Sequence, residues 1–141
     1  MDLHGIPEKY KPYHLSREQN KDAPIFPLEA MYAVSKHTAW DENSPWRSPL
    51  NSAHPLSGLP PVYIQVDGMD ILRDDALIYD EMLKEAGVKT KIDFYPGCPH
   101  AHASFMPGLE VSIRAQADTV KGFGWLLNRE VMVDGAGKSP N

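Results

Sequence analysis

Two side chains able to exchange protons occupy matched places in this sequence. Asp70 stands four residues after Val66, which ends the β-rich run Val62-Tyr63-Ile64-Gln65-Val66, and His100 stands five after Tyr95, which ends the run Lys89 to Tyr95. In open parallel sheets the functional groups gather beyond the carboxyl ends of the strands. Adjacent strands would bring these two loops together, so that Asp70 accepts a hydrogen bond from Nδ1 of His100. Such a pairing fixes the imidazole tautomer, stabilises the imidazolium and leaves Nε2 as a general base. His102, two residues on, is a further catalytic candidate if the loop is extended, although plain solvent exposure is the expectation for it. Cys98, His100 and His102 also carry thiolate and imidazole groups suited to zinc. Three donors so close together, with no distant fourth, do not close a tetrahedral site, so neither a metal nor a cofactor is expected.

The elements that must position these groups are legible mainly in the second half of the chain. The first run is entered through Pro60-Pro61 and left through Asp67-Gly68, as a buried strand would be. Leu72, Ala76, Tyr79, Leu83 and Ala86 then step at helical spacing, and Gly87 closes that helix. A second strand follows in Lys89 to Tyr95, with Ile92 and Phe94 as its apolar side. A last helix runs from about Leu109 to Leu127 with Leu109, Ile113, Ala117, Val120, Phe123 and Leu127 on one face, and Gly122 and Gly124 weaken its end. Asp74 and Asp75 read as acidic caps at the start of the first helix, with Arg73 as their surface partner. Earlier in the chain, Ser16 and Gln19 have the form of a capping box on a short helix. Pro27 to Trp40 reads as a further helix, and 41–60 as loop. The chain therefore divides into a loop-rich segment with one helix over 1–60, a strand-and-helix unit over 61–130, and a disordered tail over 131–141.

Composition narrows the class. The 141 residues carry 14 basic and 19 acidic side chains, a net charge of −5 without a basic stripe, which argues against a nucleic-acid partner. No apolar run approaches the roughly 20 residues of a membrane span, and the polar start with Pro7 does not form a signal peptide. One cysteine excludes an internal disulfide framework and suits a cytoplasmic location. The 13 prolines are about twice the usual share of about 5%, so much of the chain is loop. Strand, helix, strand, helix is the order of an α/β fold with a parallel sheet. Two strands alone leave both edges unpaired, so either a homodimer or a chain completing the sheet is expected.

The run Leu59-Pro60-Pro61-Val62-Tyr63-Ile64-Gln65-Val66-Asp67-Gly68-Met69-Asp70-Ile71-Leu72-Arg73-Asp74-Asp75 resembles the aspartate region of the hormone-sensitive-lipase-like carboxylesterases, the α/β-hydrolase fold-3 family. Tyr95-Pro96-Gly97-Cys98-Pro99-His100 is similar to the family's histidine loop. Fungal members also resemble Pro7-Glu8-Lys9-Tyr10-Lys11, Ser48-Pro49-Leu50 and Gly124-Trp125-Leu126-Leu127. The resemblance covers about residues 5 to 130. It implies a truncated α/β-hydrolase fold: the last two parallel strands, flanking helices and a partial cap segment. Asp70 becomes the triad acid and His100 the triad base, an order that fits the last two members of such a triad. The family's nucleophile lies on a Gly-x-Ser-x-Gly turn, a context that no serine here has. Its oxyanion hole uses a His-Gly-Gly-Gly-type loop, which His4-Gly5 does not supply. The family's usual His-Gly-Phe is here His100-Ala101-His102.

Three functions stay open on these grounds. The first is an esterase-like chain that is not self-sufficient, its dyad either inherited without a task or completed by another segment. The second is a stand-alone enzyme that cyclises, isomerises or dehydrates a hydrophobic secondary metabolite with His100 and a shaped pocket. The third is a non-catalytic binding module. For either enzyme, Met31, Tyr32, Trp40, Trp46, Phe105 and Met106 are the candidate wall for a small hydrophobic molecule.

Overall fold

The run rich in β-branched and aromatic residues, Val62 to Asp67, and the run Thr90 to Tyr95 form strands that pair in parallel, from Val62 opposite Thr90 to Asp67 opposite Tyr95. A computed structural model of the chain describes residues 6–39, 41 and 43–132. Trp40, the His4-Gly5 pair and residues 133–141 of the expected disordered tail lie outside the described residues.

In chain order, a 3-10 turn over Glu8–Tyr13 is followed by α1 (Ser16–Gln19) and α2 (Leu28–Thr38). A loop region with one further 3-10 turn leads to β1 (Val62–Asp67). Then come α3 (Arg73–Glu85), β2 (Thr90–Tyr95), α4 (His102–Phe105) and α5 (Glu110–Leu126). This is the expected α/β order, and among the described residues the sheet has two strands, β1 beside β2. No described helix is long and apolar enough to cross a membrane.

Gly87 ends α3 as the sequence implies, at φ +78. Its N–H donates to the Lys84 carbonyl at 3.0 Å and the Val88 N–H to the Leu83 carbonyl at 2.9 Å, with Val88 and Leu83 both buried. That pair of hydrogen bonds is the Schellman termination, whose αL residue carries no Cβ penalty when it is glycine.

The packing of α5 departs from the apolar stripe read in the sequence. Leu109, Ile113, Val120, Phe123 and Leu127 are exposed, and the buried side is made of Ser112, Ala115, Ala117, Gly122 and Gly124. The reason is closeness. A Cβ on Gly122 would fall 2.2 Å from Cε1 of Tyr63, so the helix lies directly on β1 and only small residues fit between them. Gln65 ties the same contact, its Nε2 donating to the Ala115 carbonyl at 2.9 Å and to the Tyr95 hydroxyl at 3.0 Å. Alternation places Val66, 2% exposed, on the opposite face of the strand. On β2 the inward residue at the strand end is Tyr95, while Phe94 is 43% exposed, the reverse of the sequence expectation.

The amino-terminal segment is fastened to the start of α3 by buried polar groups. Ser16 is not the cap of its own helix but its first residue. Asp74 and Asp75 lie in the first turn of α3 as expected, yet they are buried and face the amino-terminal segment, with Arg73 bonded to Asp74 alone of the two. Nε2 of the buried His14 lies 3.2 Å from Asp75 Oδ2, and Arg17 is 3.6 Å from Oδ1.

Candidate active site

Two loops at the carboxyl ends of β1 and β2 carry the candidate groups, and backbone hydrogen bonds join them. The Gly68 N–H donates to the Tyr95 carbonyl at 3.0 Å and the Met69 N–H to the Cys98 carbonyl at 2.9 Å. A side chain at 68 would meet Gly97 N and Pro96 Cα at 3.1 Å, so glycine lets the loops touch. This contact sets the spacing between Asp70 and His100.

Asp70 divides its two oxygens between two tasks. Oδ1 accepts the Leu72 N–H at 2.8 Å, fixing the carboxylate to the turn that starts α3, and Oδ2 lies 2.7 Å from Nδ1 of His100. The hydrogen bond to Asp70 holds the imidazole pKa above its ordinary 6.5, against the opposing effect of burial. The His100 side chain is 35% exposed, and among the described residues Nε2 makes no hydrogen bond. One ring nitrogen is thus anchored to a carboxylate and the other is open, the arrangement a general base requires.

His102 does not join that pair and is not exposed. It is 2% exposed, with Nδ1 2.8 Å from Asp67 Oδ1 and its ring 5.1 Å from that of Tyr95. The loop is not extended here: Ala101 adopts φ +52 and starts α4, which turns His102 inward. Burial raises the Asp67 pKa, with His102 offsetting part of the rise, and Nε2 of His102 is buried without a partner. Cys98 is buried, which raises its thiol pKa. Among the described residues no three His, Cys, Asp or Glu side chains converge on a point a metal ion could occupy, so the Cys98, His100 and His102 cluster does not form.

The candidate wall residues that the structure describes are largely open to solvent. Tyr32 is 61%, Trp46 92% and Phe105 65% exposed, whereas Met31 and Met106 are half-buried. A cleft of about 330 Å³ lies elsewhere, lined by Tyr10, Tyr13, Asp74, Leu77, Ile78 and Glu81.

Two contacts at the dyad have no local signature in the sequence. Asn20 donates to the Asp70 carbonyl at 2.9 Å, and the ring of Phe26 lies 4.8 Å from that of His100. Both come from residues more than 45 positions away. Asp67 does carry a signal, since its place at the end of β1 opposite Tyr95 sets it beside the histidine loop.

A parallel strand pair with a carboxylate–imidazole dyad across its carboxyl ends defines the class as α/β hydrolase. Residues 6–104 match the family described as alpha/beta hydrolase fold, and the chain belongs to that family. It is 36% identical over 126 residues to the versiconal hemiacetal acetate esterase of Dothistroma septosporum, covering 89% of this chain and 38% of that protein. Esterase LipI of Mycobacterium tuberculosis is 36% identical over 93 residues, 64% of this chain and 29% of LipI. Among solved structures, vibralactone cyclase superposes with a TM-score of 0.83 at 33% identity, over 90% of this chain and 37% of the cyclase. The chain thus spans well under half the length of each of these relatives.

Proposed function

We propose that this chain supplies the acid–base pair of an acyl-ester hydrolase site, with the serine nucleophile and oxyanion hole carried by a segment outside these 141 residues or by another chain. The observation that carries the reading is the 2.7 Å contact between Asp70 and His100 with Nε2 left open. Nε2 takes the proton of the nucleophile's hydroxyl as its oxygen attacks the ester carbonyl, Asp70 steadies the imidazolium, and the proton passes to the departing alcohol. Water then repeats the sequence on the acyl-enzyme. The exposed apolar side of α5 and the unpaired strand edges favour completion by further structure, or by a second copy in a homodimer. In this reading residues 1–60 form a partial cap. Met31, Tyr32, Trp40, Trp46, Phe105 and Met106 then wall a small hydrophobic substrate, in a protein at work in the cytoplasm.

The likeness to vibralactone cyclase favours a second reading, in which His100 guides cyclisation of a hydrophobic secondary metabolite. Assay of the purified 141 residues with a p-nitrophenyl ester separates the two from self-sufficient hydrolysis. Turnover no greater than that of His100→Ala is expected, and robust His100-dependent turnover by the chain alone would overturn the first reading. Product formation from a candidate metabolite by the chain alone, lost in His100→Ala, would favour the second.

A further inference from the structure

We infer that Phe26 is a positioning residue for His100, pressed against the imidazole by a strained turn at Ile25, in a loop whose other end holds the Asp70 turn through Asn20. The inference rests on the reading of Asp70 and His100 as an acid–base pair.

The strain is local and specific. Ile25 has φ +72, and the Phe26 N–H donates across it to the Pro24 carbonyl at 2.9 Å. That is a three-residue turn in the left-handed region, which a β-branched residue rarely enters. Such a conformation persists only where the surroundings over-determine it, and here they do. Pro24 and Pro27 flank the turn with fixed φ. The Leu28 N–H closes the loop onto the Lys21 carbonyl at 2.8 Å, and the Ala23 N–H donates to the Asn20 carbonyl at 2.9 Å with Ala23 buried.

Both ends of this closed loop bear on the dyad. Asn20 Nδ2 donates to the carbonyls of Asp70 at 2.9 Å and Gly68 at 3.4 Å, holding the backbone turn from which the carboxylate projects. Phe26 lies against the imidazole with ring centroids 4.8 Å apart and planes tilted by 34°. The hydrogen bond from Nδ1 fixes one edge of the His100 ring but leaves rotation about that bond. An aromatic ring on one face removes that freedom and keeps water from competing for the Nδ1–H. Nε2 is then held in one outward direction, which is what proton transfer to a substrate needs.

The test is the low-field proton resonance of the Nδ1–H of His100, with its exchange rate with water measured by NMR on the full chain. Phe26→Tyr, which keeps the ring, is expected to leave the rate unchanged, and Phe26→Ala to raise it about tenfold or more. If circular dichroism shows Phe26→Ala unfolded, Phe26→Leu, apolar but without a flat ring, replaces it with the same expectation. A signal present in the parent but exchanging at the same rate in Phe26→Ala or Phe26→Leu overturns this inference alone. A His100 titration midpoint in the parent that does not move in Asp70→Asn sinks the acid–base reading and this inference with it.

Discussion

Ser16 and Asp74 cap one another's helices, although 58 positions separate them. Oδ2 of Asp74 accepts the N–H groups of Leu15 at 2.7 Å and Ser16 at 2.6 Å, the unpaired donors at the start of α1. The Ser16 hydroxyl accepts the Asp74 N–H at 3.2 Å, in the first turn of α3, and donates to the Ile71 carbonyl at 2.9 Å. A four-residue helix such as α1 has no stability of its own. Its presence, and with it the position of the loop that touches His100, depends on this exchange.

Asp74→Ala should therefore cost about 2 kcal/mol, because it strips two backbone donors of their acceptor in a buried place. Burial alone would raise the Asp74 pKa, but Arg73 and the two N–H groups outweigh it and hold the carboxyl below its ordinary 3.8. The stability it contributes is therefore present above 3.8 and lost as pH falls through the lowered folded value. Denaturant melts from neutral to acidic pH, with amide exchange at Leu15 and Ser16, check both statements. An unchanged melt in Asp74→Ala would refute them.

Asp67 and His102 form a second carboxylate–imidazole pair behind the first, with the imidazole buried and Nε2 unmatched. Removing one partner leaves the other in a poor place, so His102→Phe, which installs the usual residue of the family, is expected to destabilise by about 2 kcal/mol. It should also push the already raised Asp67 carboxyl further up, since His102 now offsets part of the effect of burial. Adding Asp67→Ala should recover much of the loss, a coupling of about 1–2 kcal/mol in a double-mutant cycle. Strict additivity of the two substitutions would show the pair to be energetically independent.

Ala101 adopts φ +52 where the resembled family carries glycine in its His-Gly-Phe. A Cβ in the left-handed region costs about 1 kcal/mol, so Ala101→Gly should raise stability by about that amount, less the extra freedom glycine gives the unfolded chain. Thermal melts of the two proteins at one pH decide it. A lower melting temperature for Ala101→Gly would mean that the unfolded-state term wins.

What could be read from the sequence follows the range of each interaction. β1, α3 and β2 declared themselves because their signals are local: a β-rich run between Pro60-Pro61 and Asp67-Gly68, a helical period, and a glycine where αL is needed. Asp70 and His100 could be placed together because strand ends of a parallel pair adjoin. The buried side of α5 has no apolar signature, since apolar spacing marks Ile113 and Phe123 while the fit against Tyr63 selects Gly122 and the packing on Tyr95 selects Ala115. The burial of His102 has no sequence signal for a backbone reason: the left-handed turn at Ala101, a residue that rarely adopts it, reverses the direction of the loop. Ser16 has the sequence form of a local cap, but its hydroxyl serves a helix that begins 57 residues later, at Arg73.

The contact of His100 with Asp70 predicts how the base titrates. Followed by the imidazole carbon and nitrogen shifts, the His100 midpoint is expected above 6.5 in the parent chain. In Asp70→Asn the hydrogen bond to a carboxylate is gone while burial remains, so the midpoint should fall to 6.5 or below. The folded value is raised above the unfolded one, so the stability this pair contributes is full below 6.5 and fades as pH rises through the raised value. The destabilisation caused by His100→Ala should accordingly be larger at about pH 6 than at about pH 9. For any reaction in which Nε2 must accept a proton, the acidic limb of the rate profile should follow the same midpoint and move down with it in Asp70→Asn. A His100 midpoint unaffected by Asp70→Asn would mean that the two side chains do not share the proton in solution.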